Sequence, residues 1–440
     1  MVVTIVGRPN VGKSTLFNRL LGRKAAVVHG EPGVTRDRNF AIVRWGRSSF
    51  FLVDTGGYVP DAEAGMEALV REQASMAIEN SGVVILLVDG SSGVTPLDVE
   101  IARLLRERNK TSILAVNKID NEEREVLTHE FHQLGMGEPV ALSALHGRGT
   151  GELLEKIVDS LGEVPAVEEP RDAARIAVIG KPNVGKSSLV NRLLREERMV
   201  VDEIPGTTRD SIDSFFKYEG HDFVLVDTAG LKRKRSVSSA VEVYSVVRAV
   251  RSVERANVAF IVFDASSAFS AQDARIAALA HKSDKPSVVV FNKWDLVEKH
   301  SRTAIELEKS VRERVPFLNY APVVFVSALT GQRVSKLPEM ALQVLSESRK
   351  RVPEEQLMEV LEEATRKTKP PVSSSGRTPF IKRAFQASVE PPIFTLIVSE
   401  AKSFRKAYIL YMIRCLREAF GFHGTPIRLR LRTDAGRRSN

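Results

Sequence analysis

The stretch "IVGRPNVGKSTLFNRL" runs from Ile5 to Leu20, and "VIGKPNVGKSSLVNRL" runs from Val178 to Leu193. Each leads in with apolar residues, passes through G-x-x-x-x-G-K-S and continues in a helical pattern. Glycines in such a loop let backbone N–H groups curl around a phosphate, and the helix that follows points its positive end at it. Lys13 and Lys186 are placed to reach the β and γ phosphates, and the hydroxyls of Ser14 and Ser187 to ligate Mg²⁺. Gly7, Gly12 and Thr15, with Gly180, Gly185 and Ser188, complete the two sets of nucleotide-contacting positions.

The duplication runs on along the chain. "PGVTRDR" (Pro32–Arg38) matches "PGTTRDS" (Pro205–Ser211), and "LVDTGG" (Leu52–Gly57) matches "LVDTAG" (Leu225–Gly230), both at the loops' own offset of 173 residues. "VNKID" (Val116–Asp120) matches "FNKWD" (Phe291–Asp295) at 175, and "ALSAL" (Ala141–Leu145) matches "FVSAL" (Phe325–Leu329) at 184. A period this long means domain duplication, not a solenoid. Apolar runs such as "VVTIVG", "GVVILLVDG" and "TSILAVNK" have the length of buried parallel strands, with helical stretches between them. Strand–helix alternation predicts a doubly wound α/β sheet in each copy, with ligands at the carboxyl ends of the strands, where the motifs fall.

Each motif has a chemical reading. Asp54 and Asp227 end strands and would hold a Mg²⁺ water, while the amides of Gly57 and Gly230 would sense the γ-phosphate. Thr35 and Thr208 sit where a switch loop can close a hydroxyl on Mg²⁺. Lys13, Thr35 and Gly57, with Lys186, Thr208 and Gly230, are the candidate catalytic residues. The carboxylates of Asp120 and Asp295 can accept from the N1–H and exocyclic amine of guanine, a donor pair that adenine lacks. Asn117 and Asn292 would contact the base and tie loops together, and the stems of Lys118 and Lys293 would cover its face. Ser143 and Ala144, with Ser327 and Ala328, would supply backbone support to the guanine oxygen.

The order GxxxxGKS, T, DxxG, NKxD, SAx resembles the Ras-like, translation-factor class of GTPases. Two such units followed by a small basic domain resemble the bacterial Der (EngA) family, and the resemblance covers nearly the whole chain. It implies GTP hydrolysis to GDP and phosphate, a KH-like third domain, and a role in assembly of the large ribosomal subunit. The expected architecture is two tandem P-loop GTPase domains with mostly parallel sheets plus a C-terminal α+β KH-like domain. The bounds are 1–161 and 175–347 for the GTPase domains, 162–174 for a Pro- and Glu-rich linker, and 348–440 for the basic domain. Tyr58 and Leu231 stand where many relatives of this class place a water-orienting glutamine. Asn10 and Asn183 lie three residues before the lysine, where in related GTPases an asparagine helps to hold K⁺. The resemblance therefore implies K⁺-stimulated hydrolysis; the alternative is that both asparagines only shape a turn.

Composition sets the surroundings. The chain has 440 residues, 43% hydrophobic and 27% charged, which suits about three globular domains. No apolar run of membrane-spanning length and no secretory pattern is read, and the single Cys415 excludes an intrachain disulfide. A cytoplasmic monomer is expected, with no membrane partner. The net charge is +9, and residues 348–440 carry 19 Lys and Arg against 9 Asp and Glu, so the excess lies at that end. Its expected partner is the large ribosomal subunit or its precursor, through rRNA. A GTP-dependent switch that binds another protein or an anionic membrane surface is the alternative. "KRKR" (Lys232–Arg235) follows the second D-T-A-G and is read as an RNA contact set by nucleotide state, against a plain solvated run. Arg428, Arg430 and Arg432 alternate on an expected strand, with Arg437 and Arg438 beyond, as phosphate contacts or a solvated edge. A G-x-x-G nucleic-acid clamp is not expected between Arg377 and Arg432, and Phe380, Phe385 and Phe394 are expected in the core.

Overall fold

The computed structural model describes residues 1–22, 40–46, 48–55, 66–161, 173–195, 199–200, 213–228, 239–298, 300, 302–372 and 378–433. Thr35, Gly57, Tyr58, Thr208, Gly230, Leu231, Lys232–Arg235, Arg437 and Arg438 lie outside the described residues, as does most of the expected linker. Two compact units divide the chain: Met1–Glu168 with Arg235–Val247, and Glu169–Lys234 with Arg248–Asn440.

The first unit is built on a six-stranded sheet. Its strands are β1 (Val2–Val6), β2 (Phe40–Trp45), β3 (Ser48–Asp54), β4 (Val83–Asp89), β5 (Ser112–Asn117) and β6 (Val140–Ala141), in the order β2-β3-β1-β4-β5-β6. Only the β2–β3 pair is antiparallel. Helices α1 (Lys13–Gly22), α2 (Met66–Asn80), α3 (Pro96–Glu107) and α4 (Thr150–Leu161) alternate with the strands. All seven residues of β4, "VVILLVD", are buried, as a central parallel strand covered on both faces requires. Alternate side chains feed two apolar clusters: Ile85 and Leu87 join Leu16 and Leu20, while Leu86 and Val88 join Ile101 and Phe131.

The second unit repeats this plan and adds to it. Strands β7 (Ala174–Ile179), β8 (Met199–Val200), β9 (Ser214–Tyr218), β10 (His221–Val226), β11 (Val258–Asp264), β12 (Ser287–Asn292) and β13 (Val323–Phe325) run in the order β13-β12-β11-β7-β10-β9-β8. Helices α5 (Lys186–Leu194), α7 (Ala271–Lys282), α8 (Thr303–Arg314) and α9 (Lys336–Arg349) accompany them, with the part of α6 (Ser239–Arg255) that starts at Arg248. Helices α3 and α7 both start with a full capping box, Thr95 with Asp98 and Ser270 with Asp273, which satisfies amide groups that a helix start leaves open.

The same unit carries the C-terminal layer, α10 (Glu354–Lys367), β14 (Ile381–Ser388), β15 (Ile393–Val398), α11 (Lys406–Phe420) and β16 (Arg428–Thr433). Strand β15 pairs antiparallel with β14 and parallel with β16. Leu357, Leu361, Phe394, Met412, Leu416 and Phe422 form its core. Two expectations need correction here. Phe394 is fully buried, but Phe380 is 57% exposed and Phe385 is half-buried beneath the Arg383 guanidinium, 5.7 Å from its ring centre. A G-x-x-G does occur, as Gly421-Phe422-His423-Gly424 between α11 and β16.

That turn is engaged by the G domain of its own unit. The Gly424 amide donates to the Tyr320 carbonyl (2.8 Å), and the Ser287 amide at the start of β12 donates to the Gly424 carbonyl (2.7 Å). The His423 amide donates to Glu347 Oε2 (3.1 Å), and Phe422 belongs to the core. Clamp amides that would wrap a nucleotide backbone are spent on protein acceptors. Arg428 is also committed, to Asp284 at 2.5 Å, which leaves Arg430 and Arg432 as the exposed arginines of β16.

Candidate nucleotide sites

Each phosphate loop follows a buried strand and is forced into its curve by residues that tolerate positive φ. Gly12 and Gly185 take φ of 97° and 91°, and Asn10 and Asn183 take 66° and 64°. Asparagine is among the few side chains that adopt the left-handed region readily, so turn geometry alone gives Asn10 and Asn183 a reason to be there. The side chains of Asn10 and Asn183 are exposed, as are those of Thr15 and Ser188. A Cβ on Gly7 would lie 2.2 Å from the Leu87 carbonyl oxygen, and one on Gly180 would lie 2.4 Å from that of Val262. Backbone approach of this kind admits only glycine.

The lysines close on their own loops. Lys13 Nζ donates to the carbonyls of Gly7 (2.8 Å) and Arg8 (2.9 Å), and Lys186 Nζ to those of Gly180 and Lys181 (both 2.8 Å). Burial disfavours the ammonium and pushes the Lys186 pKa down to about 8; burial lowers Lys13 also, against the pull of Asp54. Arriving phosphates restore a strong preference for the charged form. The sign follows: without nucleotide, the burial cost at Lys186 is fully present below pH 8 and fades as pH rises toward 10.5. GDP binding is therefore expected to take up more protons at about pH 9 than at pH 7, read from binding heats in buffers of different ionisation enthalpy. Equal uptake at both values would contradict a nucleotide-coupled Lys186.

The Mg²⁺ candidates differ between copies. Ser14 Oγ donates to Asp54 Oδ2 at 2.6 Å, so a hydroxyl and a carboxylate lie within reach of one hard cation. In the second copy Asp227 is left-handed (φ 59°), and its carboxylate accepts from Ser252 of α6 at 3.3 Å. Burial raises the Asp227 pKa against the opposing charges of Arg248 and Arg251.

The base-recognition residues converge alike in both units. Asn117 Nδ2 donates to the Val11 carbonyl (2.7 Å), and its Oδ1 accepts from the Ala144 amide (2.9 Å). Asn292 makes the same pair of bonds to Val184 and Ala328, both 2.9 Å. Ser143 Oγ donates to Asp120 Oδ1 (2.7 Å), and Ser327 Oγ to Asp295 Oδ1 (2.5 Å). Each aspartate is thus aimed by a serine through Oδ1, and Asp120 Oδ2 also meets the Arg124 guanidinium at 3.5 Å.

With this geometry in place, the comparisons with known proteins bear directly. The family described as "50S ribosome-binding GTPase" matches residues 2–118 and again 175–293. "KH-domain-like of EngA bacterial GTPase enzymes, C-terminal" matches residues 351–432. GTPase Der of Alkaliphilus oremlandii is 44% identical over 436 residues, 99% of each chain. This chain belongs to the GTPase Der family.

GTPase Der of Desulforamulus reducens is 46% identical over 439 residues, 99% of each chain, and that of Moorella thermoacetica is 45% identical over 428, 97% of each. Membership in the Der family of ribosome-assembly GTPases makes this a GTP-binding and GTP-hydrolysing protein with two G domains and a KH-like C-terminal domain. It also implies GTP or GDP and Mg²⁺ as ligands, which suits the oxygen donors of Ser14 and Asp54. No helix among the described residues is long and apolar enough to cross a membrane.

Four site carboxylates were missed by the motif reading. Asp89 pairs with Lys118 at 2.5 Å and Asp264 with Lys293 at 2.6 Å. Asp98 lies 3.5 Å from Arg8, and Asp273 lies 2.9 Å from Lys181, where Arg8 and Lys181 are the second residues of the phosphate loops. The available signal was the offset: Asp89 to Asp264 and Asp98 to Asp273 both span the 175 residues that separate the NKxD motifs.

Proposed function

We propose that this chain is a nucleotide-controlled factor in assembly of the large ribosomal subunit, with two GTP switches reporting to one RNA-facing C-terminal domain. The observation that carries this is the pairing of two complete guanine-recognition sets with a basic domain whose exposed arginines lie on an edge strand. The functional units are 1–161, 175–347 and 348–440. Lys13, Thr35 and Gly57, with Lys186, Thr208 and Gly230, act on the γ-phosphate. Ser14, Thr35 and Asp54, with Ser187, Thr208 and Asp227, hold Mg²⁺. Asp120 and Asp295 read guanine, and Lys118 and Lys293 cover its face. Asn10 and Asn183 hold K⁺, whose charge stands in for an arginine finger. The partner is rRNA of the large subunit or its precursor. It is met by phosphate contacts from Arg430 and Arg432, since the G-x-x-G turn is already engaged.

The test is GTP hydrolysis in K⁺ and in Na⁺, with and without large-subunit particles, for the parent chain and for Arg430→Ala/Arg432→Ala. K⁺ is expected to accelerate hydrolysis about tenfold or more. Particle association is expected to weaken with salt, and the paired arginine change to reduce that salt slope by about 2. Equal rates in both salts would remove the K⁺ role. Particle binding indifferent to nucleotide, salt and the two arginines would remove the ribosomal one.

A further inference from the structure

A single ten-residue segment in each G domain touches both ends of the nucleotide site. In the first domain it runs from Asp89, at the end of β4, to Asp98, in the first turn of α3. In the second it runs from Asp264 to Asp273, at the matching ends of β11 and α7. Each opening aspartate divides its oxygens in the same way. Asp89 Oδ1 accepts from the hydroxyl (2.6 Å) and amide (3.0 Å) of Ser91, and Oδ2 takes the Lys118 ammonium. Asp264 Oδ1 accepts from the hydroxyl (2.6 Å) and amide (2.9 Å) of Ser266, and Oδ2 takes the Lys293 ammonium.

The far ends agree as well. Asp98 and Asp273 each give one oxygen to a capping box and to the cation of the phosphate loop. The other oxygen of each is buried with no hydrogen-bond partner among the described residues. Arg8 also donates to Ser92, and Lys181 to Ser267 at 3.5 Å. Arginine in one copy and lysine in the other meet the same carboxylate, so the contact has survived a change of side chain.

Lys118 and Lys293 both hold left-handed backbone, φ 68° and 61°, a conformation that costs an L residue energy. Their stems are long and would otherwise sample many rotamers. A carboxylate fixed by its own loop selects one of them before any nucleotide arrives. Burial works against each carboxylate charge, but the lysine and the serine outweigh it and hold both pKa values below the ordinary range.

We propose that Asp89 and Asp264 are positioning residues for guanine nucleotides. They pin the ammonium of Lys118 or Lys293 so that the lysine stem is pre-set as one wall of the base pocket, on a segment that is also anchored to the phosphate loop. This rests on the reading of those lysines as base covers.

The experiment is a double-mutant cycle on the full chain carrying Asp120→Ala, so that guanine binding reports the second site alone. GDP affinity and thermal unfolding are measured for Asp264→Asn, Lys293→Met and the pair. Asparagine keeps the Ser266 bonds and removes the charge that holds Lys293. Asp264→Asn is expected to weaken GDP about tenfold, and to add nothing once Lys293 is methionine. Inosine diphosphate, which lacks the exocyclic amine, should weaken by the same factor, because Asp295 is untouched. If Lys293→Met weakens GDP but Asp264→Asn does not, or if the two losses multiply, the positioning role is overturned. If Lys293→Met leaves GDP binding unchanged, the pinned ammonium carries no affinity and the proposal falls, whereas unchanged binding in Lys293→Ala, which removes the stem, would remove the base-cover reading itself.

Discussion

Asp295→Ala is expected to remove guanine nucleotide binding from the second G domain and leave the first intact. Asp120→Ala is expected to do the converse, so each change should halve the binding stoichiometry. Ser327 Oγ holds one oxygen of Asp295 at 2.5 Å and Ser143 Oγ one oxygen of Asp120 at 2.7 Å, which fixes each plane before the base arrives. The base then faces a charged acceptor already aimed, and hydrogen bonds to such groups are the strong ones. Losing one partner from such a pair strands two donors of the base, at a cost of about 3–4 kcal/mol, or roughly 100- to 1,000-fold in affinity. Asp295 is only half-buried, so the apo protein should melt within about 1 kcal/mol of the parent. Isothermal titration with GDP checks the stoichiometry. Two undiminished sites in Asp295→Ala would mean that recognition of the base lies elsewhere.

What was legible in the sequence was the chemistry that needs adjacent residues. A phosphate cradle requires glycines, a lysine and a serine in one turn, and a guanine acceptor requires N-K-x-D on one strand end, so both were readable in "GRPNVGKS" and "NKID". Strand and helix alternation followed from lengths of apolar runs, since a parallel strand covered on both faces, such as β4, has no polar interruption. Pairings across the fold were not legible. A lone aspartate after a strand, like Asp89, carries no local pattern, and its partner Lys118 is 29 residues away. The Gly421–Gly424 turn reads locally as a helix stop, because glycine ends helices for its own backbone reasons. Its engagement depends on Tyr320 and Ser287 from another part of the chain. Arg428 reads locally as one of three equivalent basic residues, because its partner Asp284 lies 144 residues earlier in the chain.

The two copies also part where the motif alone would make them equal. "DTGG" and "DTAG" place an aspartate at the end of a strand in both. Asp54 lies against the serine with which it would share a cation, and Asp227 is drawn to Ser252 among arginines of α6. Sharing a motif fixes which groups are present, while the neighbours of α6 decide which way a carboxylate turns. The base-recognition ends lack this freedom, since the two asparagine bonds and the serine-to-aspartate bond repeat in both copies.

The asparagine between phosphate loop and base loop explains the second large effect. Gly185→Ala is expected to destroy nucleotide binding at the second site and to lower stability as well. An added Cβ would lie 2.3 Å from Asn292 Nδ2, and φ at Gly185 is 91°. Asn292 has little room to yield, because it is almost fully buried and bonded to Val184 and Ala328. Displacing it leaves the buried Val184 carbonyl and Ala328 amide unpaired, about 1–3 kcal/mol each, on top of about 1–2 kcal/mol for a left-handed alanine. Gly220→Ala separates the two contributions. Its φ is 81°, yet nothing lies within 4 Å of a Cβ there, so only the backbone cost of about 1–2 kcal/mol applies. Thermal unfolding should therefore show a small loss for Gly220→Ala and a loss several times larger for Gly185→Ala. GDP binding at the second site should fall at least about 100-fold only in the latter. Equal losses in the two variants would mean that the contact between Gly185 and Asn292 carries no energy. The phosphate and base halves of the site would then be independent, and the shared asparagine would couple nothing.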